Sequence, residues 1–181
     1  MRLSNTREGY GLVAVGLHWI SAIGVIWLYL VGDRAGEAPT RAEHVAGIAQ
    51  HVSIGLLFIA FLAARLIWTA TQPHPKKLET NRPLQILASA VQGLFLAMIA
   101  VQIVTGPLVM WAAAKPLNVF DWVSIPSPFP ARVGWLREGA EAVHKLAPKM
   151  LWPLLGLHVL GALKHVIIDR DRTLLRMIKP V

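Results

Sequence analysis

Histidine is the residue type of this chain best suited to chemistry: seven occur among 181 residues, with no cysteine. Four of them, His18, His51, His144 and His158, fall in apolar runs. A neutral imidazole is a strong metal ligand, and an ionisable group inside a membrane segment is costly enough to imply a use. His144 and His158 are separated by almost four helical turns, so one helix would present both on one face, about 21 Å apart along its axis. With one histidine on each of two further helices, the pattern suits two metal centres at two depths, each held between two imidazoles. The lack of cysteine removes thiolate-bound haem and iron–sulfur clusters and leaves bis-histidine haem as the chemistry that fits. One centre holding all four histidines is excluded, because ligand bonds of about 2 Å cannot gather side chains so far apart. Two separate zinc sites remain as an alternative, without the further acidic or thiolate ligands that zinc usually takes.

The elements that must position these residues are membrane spans. With 55% hydrophobic and 15% charged residues and a mean hydropathy of +0.51, the chain is too apolar for an ordinary soluble domain. Four charge-poor stretches, 10–32, 45–64, 84–114 and 146–163, are each long enough for the roughly 20 residues that cross a bilayer, and place the spans at approximately 11–32, 46–69, 85–110 and 141–165. The expectation is an all-α integral membrane protein, a four-transmembrane-helix bundle enclosing two b haems, with 1–181 as a single membrane domain. Arg2 and Arg7 before the first run resemble a signal peptide. Its uncharged length exceeds an h-region of about 7–15 residues, however, and His18 interrupts it, so it reads as an uncleaved span. Residues 32–37 (GDRAGE) read as a flexible polar break after the first span, and Gln72-Pro73-His74-Pro75 as the end of the second. Gly106-Pro107 should kink or end the ordered core of the third. Residues 115–137, with four prolines, read as an irregular loop whose Trp122, Phe129 and Trp135 sit at headgroup level. Pro148 clashes with the carbonyl four residues back, which belongs to His144, so the ligand helix is locally disturbed there.

A net charge of +8 invites a nucleic-acid reading, but the distribution points to membrane orientation and to no nucleic-acid partner. Eleven of the 18 Lys and Arg residues lie in or beside the N-terminus, the second connection and the C-terminus: Arg2, Arg7, Arg65, Lys76, Lys77, Arg82, Lys164, Arg170, Arg172, Arg176 and Lys179. Four spans put these three regions on one side, which the positive-inside rule makes cytoplasmic. Depth then sets the pairs. His18 and His158 lie in the inner halves of the first and fourth spans, and His51 and His144 in the outer halves of the second and fourth. Ala22, Gly55 and Ala162, one turn beyond three of these histidines, leave room for a porphyrin edge. Arg65 shares a face with His51 near the inner depth, where it could pair with haem propionates or snorkel to the headgroups. Arg132, Arg137, Lys145 and Lys149 on the outer side could hold propionates, attract an anion or face solvent. His44 beside Glu43 and His74 between prolines read as solvated or loop-bonded. Lys164 and His165, at the inner end of the last span, could meet a quinone headgroup, with capping or interfacial contacts as the plainer alternative.

These residues carry a resemblance. Tyr10-Gly11, Leu17-His18-Trp19, His51-Val-Ser-Ile-Gly55, Leu62-Ala-Ala-Arg65-Leu-Ile-Trp68, Thr105-Gly106, His144, Gly156-Leu157-His158 through His165, and Thr173-Leu-Leu-Arg-Met177 together resemble the bacterial diheme cytochrome b561 family over nearly the whole chain. The resemblance implies four helices in the bacterial inner membrane, both termini cytoplasmic, and two haem b groups. Their ligands would be His18, His51, His144 and His158, and electrons would be exchanged with the quinone pool. Superoxide oxidase-type members of that family imply periplasmic superoxide as electron donor and ubiquinone as acceptor. A quinol-oxidising carrier or membrane anchor serving a periplasmic redox partner is the alternative; a non-redox structural bundle would leave the histidine ladder without a purpose. Two features depart from the family pattern: Val91-Gln92 stand where relatives often carry histidine, and Pro148 and Pro153 interrupt the ligand helix.

Overall fold

The computed structural model describes residues 2–180, and its architecture is a four-helix membrane bundle. Helix α1 spans Leu12–Gly36, α2 Arg41–Thr71 and α3 Arg82–Trp111; the fourth crossing combines α4 (Gly134–Leu146), a 3-10 turn (Ala147–Met150) and α5 (Leu151–Ile167). Large apolar side chains point outward on every crossing, including Ile23, Ile67, Ile86, Val104 and Leu160. In water such an outer surface would be a liability; against lipid it is the surface a spanning helix requires.

Local sequence explains most of the boundaries. Thr40 and Glu43 form a reciprocal capping box at the start of α2, satisfying two otherwise orphaned N–H groups. The helix stops at Thr71, where Gln72 turns extended ahead of Pro73, as the residue before a proline is pushed to do. Asn81 caps α3, and Pro83 occupies its first turn, a place where the missing N–H costs nothing.

Three expectations from the sequence are corrected or narrowed. Residues 32–36 are helical, not a flexible break. A Cβ on Gly32 would lie 3.0 Å from the His51 ring, and one on Gly47 only 2.7 Å from Ala35, so these glycines let α1 and α2 pack closely, offsetting their weak helix propensity. Of the two outcomes expected at Gly106-Pro107, a kink or an end, the end is excluded: α3 continues through Pro107 to Trp111, as membrane helices accommodate interior prolines. Residues 115–137 are not irregular throughout: β1 (Leu117–Val119) and β2 (Val123–Ile125) form an antiparallel hairpin, and α4 begins at Gly134. Ser53 of α2 fastens that hairpin, donating to the Asn118 carbonyl at 3.0 Å and accepting from the Phe120 N–H at 2.8 Å.

At the opposite end of the bundle, three stretches distant in sequence are tied together. Lys76 N–H donates to the Arg7 carbonyl, Arg176 donates to the Lys76 carbonyl, and the Trp19 indole donates to the Met177 carbonyl at 2.7 Å. The N-terminal segment, the α2–α3 connection and the C-terminal tail therefore form one polar face.

Candidate functional site

The bundle brings the four apolar-run histidines together as two pairs. His18 (α1) faces His158 (α5) with ring centroids 6.1 Å apart, and His51 (α2) faces His144 (α4) at 6.2 Å. Two metal–nitrogen bonds of about 2 Å, each extended by about 1.1 Å from nitrogen to ring centre, require a centroid separation of about 6.2 Å. Each pair is thus spaced to grip one metal ion from opposite sides. His144 and His158 do not share one continuous helix: the 3-10 turn at Ala147–Met150 divides their segments. Pro148 lies in that 3-10 turn, and His144 still faces its partner.

The surroundings of the His51–His144 pair fix how those rings must point. His51 Nδ1 lies 3.1 Å from the Leu28 carbonyl oxygen, an acceptor, so this nitrogen carries the proton and donates. The Thr105 hydroxyl gives its proton to the Val101 carbonyl at 2.7 Å, leaving its oxygen to accept from His144 Nδ1–H at 3.1 Å. Both rings therefore keep the Nε2 lone pair free, the arrangement in which a histidine ligates a metal while its other nitrogen donates to the protein. Gly32 and Gly106 make room for this: an added Cβ would stand 3.0 Å from His51 and 3.2 Å from His144. Gly55, by contrast, only faces Leu28 at an ordinary 3.7 Å.

The His18–His158 pair has different neighbours. The Arg65 guanidinium donates toward His18 Nδ1 at 3.2 Å, so the shared face of His51 and Arg65 on α2 does bring a cation to this second site. Phe95 packs edge-on to His158 with centroids 5.7 Å apart. Buried polar atoms without a protein partner lie one turn from the site residues: Ser21 Oγ beyond His18, Trp68 Nε1 beyond Arg65, and Gln102 Oε1 before Thr105-Gly106. Buried polar groups rarely lack a partner, and these suit the polar edge of a large, mostly apolar group. The spacing of both pairs, the ring tautomers and glycine clearances of the His51–His144 pair, and the orphaned polar atoms fit haem.

The chain matches the prokaryotic cytochrome b561 model over residues 9–180. It belongs to that family. The family binds haem b, so the chain is a cytochrome b561-type membrane electron-transfer protein. Among its relatives, cytochrome b561 homolog 2 of Escherichia coli K12 is 32% identical, covering 98% of this chain and 95% of the relative. A probable superoxide oxidase, CybB, of Yersinia pestis is 26% identical over 94% of this chain and 96% of its own. Cytochrome b562 of Cereibacter sphaeroides is 26% identical, covering 97% and 99% respectively.

At the end with both termini, Lys164 and His165 sit in an ionic cluster. Lys164 bonds the Glu79 carboxylate and, at 2.8 Å, Asp169; His165 Nδ1 lies 2.8 Å from Asp171 and 3.1 Å from Asp169. A cavity of about 280 Å³ opens beside them, lined by Leu78, Glu79, Thr80, Asp169 and Asp171. The hydrogen bond from Lys164 holds the Glu79 carboxyl below the usual carboxylate range. Burial would raise Asp171, but bonds from the Thr173 side chain and N–H and from His165 outweigh it and lower its pKa. Of the other histidines, His44 Nδ1 sits 2.6 Å from the Ala35 carbonyl at the α1–α2 turn, and His74 is exposed. On the hairpin side, Arg132, Arg137 and Lys145 are each paired with Glu138 or Glu141. Lys149 is exposed and has no carboxylate partner among the described residues. Sequence reasoning missed the Leu28 carbonyl, Gly32, Glu79 and Asp171. No local signal marks them, because their roles exist only once α1 meets α2 and the second connection meets the tail.

Proposed function

We propose that this protein carries electrons across the bacterial inner membrane between two b haems, oxidising periplasmic superoxide and reducing ubiquinone. The observation that carries the two-haem reading is the pair of 6.1 and 6.2 Å histidine spacings at opposite ends of one bundle. His18 and His158 would ligate the inner haem, and His51 and His144 the outer one. Bound there, the haems supply the one-electron chemistry. Arg65, with Trp68 and Ser21, would offer donors to inner-haem propionates. The charge bias along the chain supports cytoplasmic termini, which makes the hairpin side periplasmic.

Superoxide is a small anion, and Lys149, five residues beyond His144 with no carboxylate of its own, is placed to attract it. Two superoxide ions leave as dioxygen, giving up two electrons in all. Ubiquinone takes up these two electrons with two protons. The Glu79–Lys164–His165–Asp171 cluster lies on the cytoplasmic side in this orientation, where such protons enter, and His165 would pass one to the reduced quinone. The name of the Yersinia relative favours this direction over quinol oxidation toward a periplasmic redox partner.

Rapid mixing of the purified holoprotein with superoxide, with and without ubiquinone, tests the reading. The expected result is haem reduction within the mixing experiment, followed by reoxidation only when quinone is present. Haems that stay oxidised under superoxide but are reduced by ubiquinol would reverse the direction. His165→Ala should slow the reoxidation phase and leave the initial reduction unchanged; an unaltered second phase with full haem loading would remove His165 from the quinone step.

A further inference from the structure

Where the α2–α3 connection enters α3, two cations are left without an anion. Lys164 is bound to Glu79 and Asp169, and Arg176 to the Lys76 carbonyl. Lys77 and Arg82 have no carboxylate partner among the described residues, and both are exposed. Lys77 precedes the helix, yet its ammonium donates at 2.7 Å to Ser89 Oγ, a residue two turns into α3. A lysine at the end of a span ordinarily snorkels outward to the headgroups. This one is turned the other way, along the helix toward the apolar core. Ser89 accounts for one of its three N–H donors and leaves two; the Ser89 proton is itself given to the Gln85 carbonyl at 2.7 Å.

A cavity of about 520 Å³ lies there, lined by Lys77, Arg82, Gln85, Ile86, Ser89 and Ala90. Its walls are of two kinds. The cations stand at the polar end of the bundle, and the apolar wall continues down α3. Arg82, Ile86, Ala90 and Gly93 follow at steps of three or four residues, which puts them on one stripe of the helix. Ile86 is 62% exposed on the surface that meets lipid, and a Cβ on Gly93 would have nothing within 4 Å, so the stripe is shallow beyond Ala90. A free anion would use only the cations, and a neutral ring has no need of two. A phosphate with hydrocarbon attached uses both walls. We infer that this groove binds an anionic phospholipid, its phosphate held between Lys77 and Arg82 and an acyl chain laid over Ile86, Ala90 and Gly93. Lysine and arginine give charge-assisted hydrogen bonds to phosphate oxygens, and basic pockets at the membrane face are the usual seats of acidic headgroups. The site is independent of haem number and of the direction of electron flow.

Native mass spectrometry of the full-length haem-loaded protein tests this, after release from micelles carrying equal amounts of phosphatidylglycerol and phosphatidylcholine. The expected result is one retained phosphatidylglycerol per chain, preferred over phosphatidylcholine by at least tenfold. Lys77→Gln and Arg82→Gln should each weaken that preference about fivefold. Ala90→Trp should reduce retention of the lipid with both cations in place, and Arg41→Gln, at the other end of α2, should change nothing. Haem absorbance shows which variants are folded; if one groove variant fails to load haem, the others carry the test. No preference for the anionic lipid, a preference that survives the charge substitutions, or retention unaffected by Ala90→Trp overturns the inference. So does displacement of the lipid by equimolar inorganic phosphate, which would make this a phosphate site without a lipid, or by equimolar ubiquinone, which would make it a quinone site.

Discussion

His144 shows how a proposed ligand position is made from residues on two helices. Its ring is aimed by Thr105, whose own proton is committed to Val101, and admitted by the missing side chain at Gly106. The histidines themselves were legible in the sequence, because imidazoles in apolar runs stand out and their helical spacing separates them by depth. Their supports were not: a backbone carbonyl at Leu28 has no sequence signature, and Gly32 looked like part of a polar break until α2 packed against it. At this scale the pairing is tested by deletion. His51→Ala and His144→Ala should abolish the same haem absorbance component, and His18→Ala and His158→Ala the other. Loss of one common component from His18→Ala and His51→Ala would contradict the pairs.

The four crossings were legible from apolar run lengths, and the prolines at 73 and 75 mark the end of α2. The hairpin was not, since its strands are three residues each and the surrounding prolines suggest irregular chain. What orders it is a long-range contact from Ser53. Phe120 adopts a left-handed conformation with φ of 48°, which costs about 1–2 kcal/mol in a residue other than glycine, and its N–H bond to Ser53 helps hold that geometry. Ser53→Ala leaves the Asn118 carbonyl and Phe120 N–H without this partner. It should weaken the hairpin by about 1–3 kcal/mol, read as faster amide hydrogen exchange at residues 118–120 with unchanged exchange in α3.

The α2–α3 connection carries the corresponding clamp at the other end, between Glu79 and Lys164. Because the Glu79 pKa is lowered in the folded protein, its contribution is present above the unfolded value near 4.5 and is lost as pH falls through the folded value. Amide exchange in residues 76–81 should therefore accelerate on acidification through that window. Glu79→Gln should flatten the response; an identical pH profile in the variant would show that Glu79 is not the titrating clamp.

Across the whole molecule, one polar face gathers the N-terminal segment, the second connection and the tail through backbone and indole hydrogen bonds. Most of the Lys and Arg residues lie on or near it, so the charge bias and the fold agree on which regions share a side, and the positive-inside rule supports the proposal that this side is cytoplasmic. Reporter fusions should place both ends of the chain in the cytoplasm, and a periplasmic C-terminus would undo the orientation on which the superoxide and quinone assignments depend. The more basic claim is that one bundle holds two haems, one between His18 and His158 and one between His51 and His144. Pyridine haemochrome analysis against accurately measured protein mass tests it most directly. The account predicts two haem b per polypeptide at saturation, whereas a protein fully reconstituted at one would contradict it.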